Sequence, residues 1–351
     1  MRRLGGLDLA RGLACLGMIE AHAYDAYVDA PHRAGAAFAV TRFVALLPLP
    51  LFLVLAGMGV ALRIERARER GEAPRDVERE LLKRGAEVLA SGYALNVIYG
   101  LMDGARDVAS YLRFDVLHVI GASLMLVGRL LPGRARPQRA ALGLALVTLL
   151  PSPWLNAAAA ELESPLRFVL VPFVDVAPFT VMPLFPLASW CALGVALTPV
   201  CVRWPGRVAL VALPLAAAAS FGMQAWLSAD GVTLSRQHPA VWLNAVDLAA
   251  RALVAIGASL VVYPRVASTR FAVPVLLTLG TASLRVYALH LPFAYGALGK
   301  PVRAVADMSA AQATPWVLGL MALTYALVLA SERLTERWRA RPRGPYNPVV
   351  P

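Results

Sequence analysis

An arginine and a histidine, Arg11 and His22, stand in the first apolar segment of the chain with ten residues between them. Neutral histidine is the side chain suited to proton transfer near pH 7, and arginine pairs with phosphate, carboxylate or carbonyl groups. On an α-helix, eleven steps of about 100° return to within roughly 20° of the starting direction, and the two side chains lie about 16 Å apart along the axis. Asp8, Cys15, Met18 and Asp25 fall on the same stripe, in alternating steps of three and four residues. Ionisable groups in an apolar span normally face a bundle interior or a water-filled cavity. The stripe therefore predicts one wall of a polar cavity that crosses most of a membrane.

The elements that must hold this stripe are hydrophobic. The chain is 58% hydrophobic, its mean hydropathy is +0.61, and several apolar runs approach the twenty or so residues that cross a bilayer. The fold class expected is all-α: a polytopic membrane helix bundle of about ten transmembrane helices, at 8–28, 43–62, 83–102, 114–131, 138–157, 182–201, 207–228, 246–263, 271–298 and 314–332. A barrel would instead show alternating segments of about ten residues. The ninth span carries Gly280, Ser283 and Pro292 and reads as a broken or tilted helix. Cytoplasmic loops under an N-terminus-inside arrangement hold about three times the Lys and Arg of the outer ones, which places both termini in the cytoplasm of a cell (inner or plasma) membrane protein. The same rule accounts for the net charge of +12 without nucleic acid. The opening Met1-Arg2-Arg3 and Ala21-His22-Ala23 imitate a secretory signal, but Asp8 and Arg11 interrupt its apolar region, and the segment is expected to be retained. Cys15, Cys191 and Cys201 lie in or beside spans, with no spacing that suggests a disulfide framework or a structural metal.

This topology sorts the intramembrane polar groups by depth. Asp8 and Arg11 lie toward the cytoplasmic end, whereas His22, Asp25, Asp115, His118 and His290 lie toward the outer end, with Arg285 deeper. Three of five histidines thus converge on one depth from separate helices, a convergence that points to proton-transfer chemistry. Structural alternatives stand beside this: Asp8 and Arg11 could neutralise each other, and His118 and His290 could be hydrogen-bond partners between helices. Asp247 and Arg251, four apart, read as an internal pair. Glu20 points about 160° away from His22 and takes no role. His32 and His238 fall in outer loops and read as surface residues.

Leu7-Asp8-x-x-Arg11-Gly12-Leu13-Ala14 followed by His22 resembles the opening of the transmembrane acyltransferase superfamily, which includes bacterial glycan O-acetylases and heparan-α-glucosaminide N-acetyltransferase. Pro50-Leu51-Phe52-Leu53-Val54-Leu55-Ala56-Gly57 resembles its second-helix motif. Phe114-Asp115-Val116-Leu117-His118-Val119-Ile120-Gly121 is similar to a fourth-helix stretch, with His118 and Val119 where glutamine and arginine are usual. Phe185-Pro186-Leu187-Ala188-Ser189-Trp190 with Gly194, and Ser283-Leu284-x-Val286-Tyr287-x-x-His290, resemble two later motifs. The motifs run in order over residues 7 to 296.

The resemblance implies that residues 1–338 form a transmembrane acyltransferase-like domain, and the Pro-rich composition of 339–351 reads as a disordered cytoplasmic tail. It implies transfer of an acyl group, commonly acetyl from cytoplasmic acetyl-CoA or another acyl-CoA, to an extracytoplasmic acceptor, a glycan or amino sugar. His22 matches the proposed catalytic base, with Asp25 placed to orient it, while His32 competes for that role from the first outer loop. Arg11, with Asp8 beside it, matches the acyl-CoA side. Asp115, His118, Tyr287 and His290 would line the acceptor side, and no metal is implied. The outer loop 152–183, with Trp154, Glu161, Glu163, Arg167 and Asp175, would recognise the acceptor, and its alternation of apolar and acidic residues reads equally as an interfacial helix. The same polar residues also describe a proton-coupled small-molecule transporter or flippase, although no internal repeat is evident.

Overall fold

The computed structural model describes residues 4–340 apart from Arg106, 162–169, Val171, 175–179, Arg270, Phe271 and Ala306. The first helix, α1 (Gly5–Tyr27), sits at the centre. It is followed by α2 (Ala36–Ala45), α3 (Pro48–Glu69), α4 (Pro74–Asp103), a short α5 (Val108–Leu112) and α6 (Val116–Leu130). Then come α7 (Pro137–Leu149), α8 (Ser152–Ala160), α9 (Leu184–Arg203), α10 (Pro205–Asp230) and α11 (Val241–Val266). The chain closes with α12 (Ala272–Thr281), α13 (Ser283–Ala294) and α14 (Ala310–Ala340). Among the described residues, an isolated parallel bridge between Phe114 and Thr180 stands in place of a sheet.

Local sequence explains most boundaries. Prolines open α3, α4, α7 and α10 in their first turn, where a missing N–H costs no helical hydrogen bond. Gly104 and Gly231 close α4 and α10 in the left-handed conformation, at φ 69° and 66°. Six segments are long and apolar enough to cross a membrane: Ala36–Glu69, Pro137–Ala160, Leu184–Arg203, Pro205–Asp230, Val241–Val266 and Ala310–Trp338. The pair α12 and α13 forms a seventh if taken as one broken span, bent by 92° at Ala282. The remaining expected spans are helical too, but α1 carries Asp8, Arg11, Glu20 and Asp25, α4 opens on a charged half, and α6 has 15 residues. Residues 152–160, expected in part as loop, form the helix α8, with a proline in its first turn, and Asn156 donates from it to the Val174 carbonyl at 2.6 Å. Glu163, Arg167, Asp175 and the tail from 341 lie outside the described residues.

Helices in lipid associate through close packing at small residues, since the surrounding tails are as apolar as the side chains. The α3–α9 crossing shows why two motifs end in glycine. A Cβ on Gly57 would lie 1.9 Å from the Cys191 carbonyl oxygen, and one on Gly194 would lie 2.1 Å from that of Val54. A second such crossing ties α1 to α12. There a Cβ on Gly12 would meet the Leu276 oxygen at 2.0 Å, and one on Gly280 the Asp8 oxygen at 2.1 Å. Apolar side chains form two clusters, one around α3, α9 and α11, the other around the second half of α1 with α13 and α14.

Charge collects at the end of the bundle where α1 begins. Arg63 of α3 bonds Glu72 and Glu80 at 2.5 and 2.6 Å, and Arg129 of α6 reaches Glu78 at 3.3 Å. Such surface and half-buried pairs contribute little individually, but they tie this end of α4 to α3 and α6.

Candidate active site

At the opposite end, the last turns of α1, α4 and α13 and the first turn of α6 enclose a cavity of about 680 Å³. His22 and Asp25 reach it from α1, Arg42 from α2, Asn96 and Tyr99 from α4. Arg113, Asp115 and His118 line it at the start of α6, and Tyr287 and Tyr295 line it from α13 and the turn that follows. The walls thus combine two histidines, two guanidinium groups, carboxylates and three phenols.

His22 owes its place to the stripe on α1, and its ring is bonded across the bundle. Its Nδ1 lies 2.8 Å from Nε2 of His290, and the two ring planes are within 4° of parallel. His290 is fully buried, and its Nδ1 lies 2.7 Å from the Val286 carbonyl one turn back. His290 stands behind His22 and is not among the residues that line the cavity. The partner of the His22 ring is therefore His290, in place of the Asp25 expected from sequence. Asp25 instead accepts a hydrogen bond from the Tyr295 hydroxyl at 2.9 Å and lies 3.6 Å from Arg42 and 3.8 Å from Arg33. An aspartate three residues beyond His22 on a helix has its side chain drawn toward these cations at the helix end.

The α6 residues cap their own helix. Asp115 accepts from the Val116 N–H at 2.7 Å, and His118 Nδ1 accepts from the Asp115 N–H at 3.1 Å, a capping box in which histidine fills the place of glutamate. Among the described residues His118 Nε2 is buried without a hydrogen-bond partner, against the edge of Tyr93. Tyr287 packs edge-on to His290 at 6.0 Å, and Tyr99 donates to the Ala288 carbonyl at 2.6 Å, so α4 and α13 are tied beside the cavity.

Arg11 and Asp8 lie at the other end of the stripe. Arg11 Nη1 donates to Asp8 at 2.9 Å, and neither residue lines the cavity. Between the two ends the stripe is packed shut. Cys15 is fully buried and its thiol donates to the Leu279 carbonyl at 3.4 Å, and Met18 is buried beside it. The expected polar wall across most of the membrane is thus two separate polar ends, because the α1–α12 crossing leaves no room for solvent at the middle level. His32 pairs with the exposed Asp307 at 2.8 Å, outside the cavity, and His238 pairs with Asp230 at 3.0 Å. Arg285 reaches Glu332 at 3.4 Å.

Asp247 and Arg251 form a bidentate pair at 2.7 and 2.6 Å within α11, and the guanidinium lies 4.3 Å from the Phe43 ring centroid. Asp247 is 3% exposed, so removing only its partner leaves a buried charge, at a cost of about 3–5 kcal/mol. Arg251→Met is expected to lower thermal stability in detergent by that order, and Arg251→Met with Asp247→Leu to recover most of it. A double variant no more stable than the single one would refute a purely structural pair.

Sequence reasoning missed Arg42, Arg113, Asn96, Tyr99 and Tyr295. A tyrosine five residues past His290 was visible, but interfacial tyrosines are common in membrane helices and nothing in spacing joins it to Asp25. The two arginines sit in segments that read only as outer loops.

The architecture is that of a helical membrane protein with a histidine-centred cavity at one end of the bundle. The chain belongs to the heparan-alpha-glucosaminide N-acetyltransferase catalytic family, a membrane acetyltransferase family, whose family model matches residues 3–228. The match includes Asp8, Arg11, His22, Asp25, Asp115 and His118, and ends before His290. No match emerged among curated protein sequences.

Proposed function

We propose that this chain is an integral membrane acetyltransferase that moves an acetyl group from cytoplasmic acetyl-CoA to an extracytoplasmic acceptor, a glycan or amino sugar. The observation that carries this reading is His22 on the cavity wall, at the far end of α1 from the arginine-rich loops. In the proposed arrangement the ten helical segments each cross the cell membrane, the termini lie in the cytoplasm, and the cavity faces outward. Arginine enrichment around α3, α4 and α6 at the other end supports that orientation.

His22 acts as the base. It takes the proton of the acceptor O–H or N–H as that atom attacks the thioester carbonyl; the C–S bond then breaks and the CoA thiolate takes up a proton. Tyr295 and the guanidinium groups of Arg42 and Arg113 stand where they can offset negative charge on the tetrahedral oxygen. Asp25 holds Tyr295 and Arg42, while Asp115, His118 and Tyr287 shape the acceptor wall. Arg11, neutralised by Asp8, belongs to the donor side, where a guanidinium suits a phosphate or pantetheine carbonyl. The packed level at Cys15 lies between these two ends.

The test is acetyl-labelled acetyl-CoA supplied to inside-out vesicles, against vesicles from cells without the chain. Label accumulating in an enclosed product is expected, with little label accepted by right-side-out vesicles. Equal consumption in both preparations, or none above the control, would overturn the reading.

A further inference from the structure

We infer that His290 is a positioning residue that fixes His22 in one tautomer, with hydrogen on Nδ1 and the Nε2 lone pair left for the cavity; its catalytic part rests on the reading of His22 as base. A main-chain carbonyl can only accept, so the 2.7 Å contact with Val286 assigns hydrogen to His290 Nδ1. In the neutral ring, His290 Nε2 then carries a lone pair, and at 2.8 Å it accepts from His22 Nδ1–H. The hydrogen bond made by one ring nitrogen thus decides the state of the other, twice in succession.

The surroundings reinforce the assignment. His290 is 0% exposed and does not line the cavity, whereas His22 does, so the inner ring meets no acceptor directly. Tyr287 closes His290 from the side, and Tyr295 stands against the His22 ring at 5.5 Å between centroids. The 92° bend at Ala282 turns α13 across the end of α1, which brings residue 290 to residue 22. A continuous helix from 272 to 294 would carry His290 past that level.

The chain has five histidines, few enough for nitrogen-15 NMR of histidine-labelled protein in lipid nanodiscs, with signals assigned by single replacements. Wild-type His22 is expected to show a protonated Nδ1 and an unprotonated Nε2. In His290→Leu the His22 signals should move toward the Nε2–H tautomer, and His290→Gln, whose amide oxygen can accept, should restore the original pattern. In turnover, kcat for acetyl-CoA should fall about 100-fold in His290→Leu with KM within about threefold, and Gln should recover about tenfold. Hydrogen on His22 Nε2 in the wild type, or a His22 spectrum unchanged in His290→Leu, would overturn the inference. Should the leucine variant fail to fold, the wild-type spectrum alone decides. The tautomer is read without turnover: an inactive protein with His22 in the Nδ1–H form would refute the acetyltransferase reading and support this one.

Discussion

Replacement of His22 by alanine is expected to lower acetyl transfer by about 10²- to 10⁴-fold, the range that a positioned proton acceptor contributes. The loss should appear in kcat, because the other cavity walls, Tyr287, Tyr295, Asp115 and Arg42, remain to hold an acceptor. His32→Ala is the decisive companion. His32 is paired to Asp307, whose side chain is 82% exposed, and lies outside the cavity, so its removal should change turnover by no more than about twofold. Measured at matched expression in vesicles, the two variants separate the candidate histidines. A His22→Ala protein within about threefold of wild type would remove the base assigned here, since no lesser role fits so small a change.

The second large effect concerns Gly280. An added methyl group there would sit 2.1 Å from the Asp8 carbonyl oxygen, and backbone cannot rotate aside as a side chain can. Gly12 meets Leu276 with the same closeness on the other helix. Overpacking a core typically costs about 1–3 kcal/mol, and a backbone obstacle places Gly280→Ala at the upper end of that range or beyond it. Activity per folded molecule should fall as well. Moving α12 off α1 carries α13 with it and lengthens the bond between His290 and His22. Gly143→Ala is the control: among the described residues nothing beyond its own helix backbone lies within 4 Å of its added carbon, and alanine should there gain up to about 1 kcal/mol of helix propensity. Thermal unfolding in detergent, with turnover on the same samples, checks both. Equal stability of Gly280→Ala and wild type would contradict the crossing.

The order of helices was legible in the hydropathy pattern, and the polar stripe of α1 in its three-and-four spacing, because both are periodic along a single segment. The break near Gly280 and Ser283 was legible for the same reason, and the structure sets it at Ala282. The state of the stripe's middle was not. Whether Cys15 and Met18 face water or another helix depends on Gly12 and Gly280 meeting across some 270 residues of chain, and small residues carry no signal of their partner. The His22–His290 bond is hidden for a similar reason: sequence placed both histidines at one depth, but depth does not say which rings touch. His118 was read as an acceptor-side residue; its place in a capping box was hidden, because that depends on Asp115 adopting a non-helical backbone just before α6.

The packed level around Cys15 and Met18 also acts as an electrical insulator. A charge moved across a membrane potential of 100 mV gains or loses about 2.3 kcal/mol, so a continuous water column through the bundle would leak protons down that gradient. Here the thiol of Cys15 satisfies the Leu279 carbonyl, and Met18 fills the space beside it with apolar volume. On the reading of His22 as the base, its proton exchange at one face would then leave a voltage stored across that level intact.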